Sequence, residues 1–155
     1  MNINFMNEAL KQAQKAYNIK ETPIGAIIIK DNKIISRGYN KREKNNLVTS
    51  HAEIIAIEKA CKKLKSWRLD GCEMYVTLEP CMMCLGAITQ SRISKIYIDA
   101  KEPKNGCICS AINYEKFNIT HKLKYEFVDN NLESEKLLKK FFKELRQNKS
   151  YTKKV

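Results

Sequence analysis

The chain has 155 residues, of which 43% are hydrophobic, and carries 29 basic against 17 acidic side chains for a formal charge of +12. That length closes a hydrophobic core without disulfide or metal staples, and no apolar run approaches the roughly 20 residues needed to span a bilayer. A membrane-spanning protein and a stapled mini-protein are thereby set aside, while the positive charge suits a polyanionic partner such as nucleic acid, beside the plainer reading of a lysine-rich solvated surface.

Residues 3 to about 19 place Phe5, Ala9, Leu10, Ala13, Ala16 and Tyr17 at helical spacing, which predicts an amphipathic first helix. In "ETPIGAIIIKDNKIISRGYN" an apolar run, a polar Asp31-Asn32 step and a second β-branched run predict a hairpin. "SHAEIIAIEKACKKLK" is a second helix, "EMYVTLE" a strand, "PCMMCLGAITQS" a helix and "KIYIDA" a strand. This alternation from residue 51 to 100 predicts an α/β fold with parallel neighbours in its sheet. "KEPKNGCICS" reads as a loop, followed by a short helix near 110 to 117 and a last strand at "KLKYEFV". A terminal helix presents Leu132, Leu137, Leu138, Phe141, Phe142 and Leu145 on its apolar face. No linker or repeat divides the chain, so residues 1–150 are expected to form one domain, with 151–155 a frayed basic tail.

No charged segment followed by an apolar stretch opens the chain, and a cytoplasmic location is expected. In such a compartment the six cysteines, at 61, 72, 81, 84, 107 and 109, favour metal ligands or buried apolar groups over disulfides. Cys81 and Cys84 are three residues apart behind Pro80, which is expected to take the first position of a helix. On that spacing both thiolates share one face near the positive helix end and fit a zinc ion. Of the two histidines, His51 begins the "HAE" helix, whereas His121 lies in a polar loop and reads as a surface residue. His51 with Cys81 and Cys84 makes three ligands and leaves a fourth position for water, as in a catalytic zinc site.

Glu53 admits two readings. Ser50-His51-Ala52-Glu53 matches a capping box, in which the glutamate only caps its own helix. Alternatively Glu53 stands beside the metal-activated water and shuttles its proton to a leaving amine. Cys107 and Cys109 could instead complete an all-thiolate structural site with Cys81 and Cys84, at the cost of leaving the H-x-E spacing unexplained. Cys61 and Cys72 read as packing residues.

H-x-E followed by P-C-x-x-C, here His51-Ala52-Glu53 and Pro80-Cys81-Met82-Met83-Cys84, is the signature of the zinc deaminases. "TPIGAIII", "GYN", "HAEIIAIEKA", "SWRLDGCEMYVTLEPCMMCLGAI", "SRI" and "LLKKFFKELR" together resemble the bacterial tRNA-specific adenosine deaminase family along nearly the whole chain. The resemblance implies a cytidine deaminase-like three-layer α/β/α sandwich with a mixed five-stranded sheet, and a homodimer. It implies one Zn2+ per subunit held by His51, Cys81 and Cys84, with Glu53 as the proton shuttle. Asn40 of "GYN" would contact the purine, and Glu102 and Lys104 would contact the nucleotide backbone.

The implied activity is hydrolytic conversion of adenosine to inosine at the wobble position of a tRNA anticodon stem-loop. The rivals are a deaminase of a free base or nucleoside, of guanine or cytosine type, and a non-catalytic zinc-stabilised RNA-binding protein. Candidate phosphate contacts are Lys41, Arg42, Lys44, Lys101 and Lys104, with Lys139, Lys140, Lys143 and Arg146 of the terminal helix. The chain departs from the family pattern at Ser50, where alanine is usual and the upstream proline is missing. Two further departures are Glu102, where aspartate is common, and Cys109, where glycine is usual.

Overall fold

The computed structural model describes residues 1–152, with side chains through 148. Helix α1 (Ile3–Asn18) leads into strands β1 (Gly25–Lys30) and β2 (Lys33–Tyr39). A single turn, α2 (Arg42–Asn45), and helix α3 (Ala52–Leu64) follow. Then come β3 (Cys72–Leu78), α4 (Met82–Gln90), β4 (Lys95–Ala100), β5 (Lys124–Phe127) and α5 (Glu133–Thr152). The sheet order is β2-β1-β3-β4-β5. β1 pairs antiparallel with β2 and β3, while β3–β4 and β4–β5 are parallel, so the sheet is mixed as expected. The hairpin turns at Asp31 and Asn32, both with positive φ of 48° and 61°. That pair of left-handed residues gives the twist that joins adjacent antiparallel strands.

Alternation along the strands builds two apolar layers, because successive side chains leave opposite faces. Ala26, Ile28, Met74, Val76, Ile96 and Ile98 face α3 and α4, where Ala52, Ala56, Ala60, Leu85 and Ile88 meet them. Ile27, Ile29, Tyr75 and Tyr97 face the other way, against Met6 and Ala9 of α1. α5 lies on that second face, touching α1 and β4. The result is the three-layer α/β/α sandwich. Tyr75 and Tyr97 stack at 4.4 Å between ring centroids inside the second layer, and the Tyr75 hydroxyl accepts the Asn2 N–H.

Three local expectations change. The segment near 110 to 117 forms only a 3-10 turn at Tyr114–Lys116, where Asn113 caps Glu115 N–H. On α5, Phe141 is buried, but Phe142 and Leu145 stay more exposed and Leu132 precedes the helix with a positive φ. Finally, α5 continues through Thr152, past the expected start of the tail, and residues 153–155 of that tail lie outside the described residues. Among the described residues no helix is long and apolar enough to cross a membrane.

Candidate metal and catalytic site

The strand directions bring the carboxyl ends of β2, β3 and β4 to one edge of the sheet, where ligand sites of α/β folds gather. His51 is the N-cap of α3 and Cys81 the N-cap of α4, each with extended backbone. Their side chains therefore sit at the positive ends of two helices, a setting that favours thiolate over thiol. Nδ1 of His51 lies 3.7 Å from Cys81 Sγ and 3.5 Å from Cys84 Sγ. The three donor atoms all fall within 4.8 Å of one another. Two sulfurs and an imidazole nitrogen so close together could hold one metal ion, and they match the donor preference of zinc.

The electrostatics of the cluster agree with that use. The neighbouring Cys84 sulfur, helped by His51, brings the Cys81 thiol down to about 4 against the opposing pull of burial. Cys84 is pushed up, by its bond to Cys81, by burial and by Glu53. The pair thus favours a single negative charge shared between the two sulfurs, and a cation bound there would favour a second. The His51 imidazole is raised by Cys81 and Glu53 against the opposing pull of burial.

Glu53 is 4% exposed, and its Oε2 accepts the Cys84 thiol at 3.3 Å. Burial pushes its carboxyl up, so it is suited to holding a proton as well as taking one. The capping box does not form: α3 begins after His51, and the Ser50 hydroxyl accepts from Asn45 Nδ2 at 3.1 Å. Pro80 likewise stands one step outside α4, because Cys81 stays extended, with ψ near 175°, and the helix opens at Met82.

The remaining sequence candidates have other partners. Asn40 is buried; its Oδ1 accepts the Arg42 N–H and its Nδ2 donates to the Thr22 carbonyl at 3.2 Å, which fixes the turn before His51. One Nδ2 hydrogen is left for a further acceptor. Glu102 Oε1 accepts the Lys104 N–H at 2.9 Å. Lys104 lines a cavity of about 280 Å3 together with Cys81, Met82, Met83, Asn105 and Cys107. Cys107 is buried and donates to the Asn105 carbonyl, and neither it nor Cys109 belongs to the donor cluster among the described residues. His121 Nε2 is 2.6 Å from the Ile93 carbonyl, a structural tie. Cys72 is fully buried at the start of β3, whereas Cys61 is only half-buried on α3.

Glu79 was not singled out by the sequence reading. It is 2% exposed at the end of β3, and its carboxylate gathers donors from the loop after β4. Burial pushes its carboxyl up, but these donors, led by the Cys109 N–H and the Ser110 hydroxyl, outweigh it and hold the group below its ordinary range. An acid between an apolar strand and a proline was the available signal, since a buried carboxylate requires compensation.

Fold and donor set together define a deaminase, and the family model of MafB19-like deaminases matches residues 2–146. The tRNA-specific adenosine deaminase of Bacillus subtilis is 43% identical over 97% of this chain and 94% of its own length. That of Aquifex aeolicus is 42% identical over 93% and 95%. A solved structure from work on A-to-I editing by tRNA:A34 deaminases at the wobble position of transfer RNA superposes with a TM-score of 0.85 at 38% identity, over 88% of this chain and 100% of that one. A guanine deaminase from Bacillus subtilis reaches a TM-score of 0.62 at 42% identity, over 65% and 66%. The chain belongs to the tRNA-specific adenosine deaminase family.

Proposed function

We propose that the protein hydrolyses adenosine to inosine at the wobble position of a tRNA anticodon, with ammonia as the other product. The observation that carries this reading is the buried Glu53 carboxylate at 3.3 Å from Cys84, inside the His51-Cys81-Cys84 cluster. His51, Cys81 and Cys84 would hold one zinc ion per subunit, and the ion would lower the pKa of a water bound in its fourth position. Glu53 carries one proton of the attacking water to ring N1 of the purine, where it stays in inosine, and then carries the second, from the hydroxyl formed at C6, to the exocyclic amine as it leaves. Water adds at C6 and ammonia departs, so the atoms balance. Asn40 contributes its free Nδ2 hydrogen to the purine, and Glu102 and Lys104 meet the nucleotide backbone beside the cavity.

Residues 1–150 act as a single catalytic domain in this reading, and the enzyme works as a cytoplasmic homodimer. Met82, 65% exposed next to Cys81, gives apolar surface for a subunit contact close to the site. Lys41, Arg42, Lys44, Lys101 and Lys104 hold phosphates near the pocket. Of the α5 group, Lys139 is already paired with Glu135 at 2.6 Å and Lys140 stands over Tyr17, so Lys143 and Arg146 contribute more readily.

The likeness to guanine deaminase gives the second reading, a free-base substrate. Turnover of an anticodon stem-loop compared with free guanine, adenosine and cytidine separates the two. Inosine formed only in the stem-loop supports the RNA activity, and preferential release of ammonia from a free base overturns it.

A further inference from the structure

Glu79 accepts five hydrogen bonds, all from one loop. Oε1 takes the backbone N–H groups of Ile108, Cys109 and Ser110 at 3.0, 2.8 and 3.0 Å. Oε2 takes the Glu102 N–H at 3.0 Å and the Ser110 hydroxyl in a very short contact. None of these bonds goes to His51, Cys81 or Cys84. The same loop is drawn in twice more. Cys107 N–H donates to the Pro80 carbonyl at 2.9 Å. At Gly106 a Cβ would lie 2.5 Å from Glu79 Cδ and 2.5 Å from the Glu102 carbonyl, so only glycine permits this approach.

The tethered loop supplies Lys104, Asn105 and Cys107 to the lining of the cavity, the Cys81-Met82-Met83 segment lines it too, and Ala111 and Ile112 complete it. The first two of these segments are joined directly through Glu79 and Pro80. A carboxylate is the side chain for this task, because its two oxygens offer about four acceptor sites to five inward-pointing donors.

We propose that Glu79 is a positioning residue that sets the 102–110 loop against the Cys81 turn and so fixes the cavity wall that receives the RNA strand flanking the target base. It acts through Glu102 and Lys104 and touches neither substrate nor metal. This rests on the RNA-directed reading given under the proposed function.

Glu79→Gln keeps the shape but places an NH2 group where an oxygen accepted, so at least one N–H of the loop loses its partner. In the full-length zinc-loaded protein, hydrogen exchange at Glu102, Ile108, Cys109 and Ser110 should accelerate while the β3 and β4 amides stay protected. KM for an anticodon stem-loop should rise about 10-fold, with kcat within about threefold and zinc content unchanged. Ser110→Ala, which removes one donor of five, should give a smaller KM rise of about threefold in the same direction, and it carries the test if the first variant does not fold. Unchanged KM with accelerated loop exchange, zinc loss, or a loss confined to kcat would each overturn the proposal. Failure of the unaltered enzyme to act on the stem-loop would instead remove the RNA reading, while loop exchange still decides whether Glu79 holds the loop.

Discussion

The Cys84 thiol donates to Glu53 Oε2 across 3.3 Å, linking the buried face of α4 to the first turn of α3. If Cys84 serves as a thiolate ligand, as the proposed function requires, that donor is gone and the Glu53 oxygen is left facing the three donor atoms. The contact that orders Glu53 in the thiol form would then leave it beside the place where the proposed mechanism needs a proton carried.

Glu53→Gln should retain the fold and the zinc and lose deamination by roughly 10²–10⁴-fold, the usual weight of a general acid–base group. Metal content by atomic absorption and single-turnover inosine formation provide the measurement. Full activity in the variant would leave a non-catalytic zinc-stabilised RNA-binding protein as the better description.

Gly38 of β2 lies against α3 so closely that a Cβ would stand 2.3 Å from the Ala52 carbonyl oxygen and 2.8 Å from the Ala56 N. Both neighbours are backbone atoms, so Gly38→Ala must displace the helix that begins at His51. Stability should fall by about 1–3 kcal/mol in denaturant titrations, the usual cost of overpacking. Zinc affinity should weaken with it, read by competition with a chromophoric chelator; unchanged affinity would show that α3 moves without its cap.

If the basic side chains around the pocket hold RNA phosphates, the binding constant should drop steeply with salt. Five contacts, each adding about 0.7 to the log–log slope, predict a loss of about 130-fold between 50 and 200 mM. Fluorescence anisotropy with a labelled stem-loop measures the slope, and a flat response excludes the phosphate assignment.

Asp99 receives the Ser134 hydroxyl and N–H where α5 starts. Burial raises its carboxyl, and the Ser134 donors only partly oppose this. The folded acid keeps its proton to higher pH than the unfolded one. Its contribution to stability is therefore full below the unfolded value, near 4, and is lost as pH rises through the folded value. Asp99→Asn keeps an oxygen acceptor and removes the buried charge, so its thermal midpoint should exceed that of the unaltered protein by roughly 2–4 °C at pH 7.5, with little difference near pH 4. A midpoint that falls at pH 7.5 by clearly more than near pH 4 would mean that the ionised form is favourable.

The parts of this molecule that are local in sequence could be read from it. Asp31-Asn32 between two apolar runs became the hairpin turn, whereas the runs at residues 26–29 and 74–76 are apolar throughout and do not say which side chain takes which layer. H-x-E and P-C-x-x-C located the donors, because few residue types bind zinc and only two histidines exist. The helix starts at Ser50 and Pro80 escaped: α3 opens one residue later than the capping box implies, with Asn45 claiming the Ser50 hydroxyl, and α4 opens at Met82, two residues after Pro80. Glu79 escaped for a different reason. Its partners lie 23 to 31 positions downstream in a loop without periodicity, and no pattern in the chain announces which amides will converge.

His51 and Cys84 are separated by 33 positions in the chain, yet meet at 3.5 Å where α3 and α4 adjoin. On a ribosome adding about 5–20 residues per second, the histidine is made a few seconds before the second cysteine. No complete donor set exists in that interval, and none forms until α4 docks on α3. A metal ion held as proposed would therefore bind only chains whose central crossover is already in place, and its content would report on that docking.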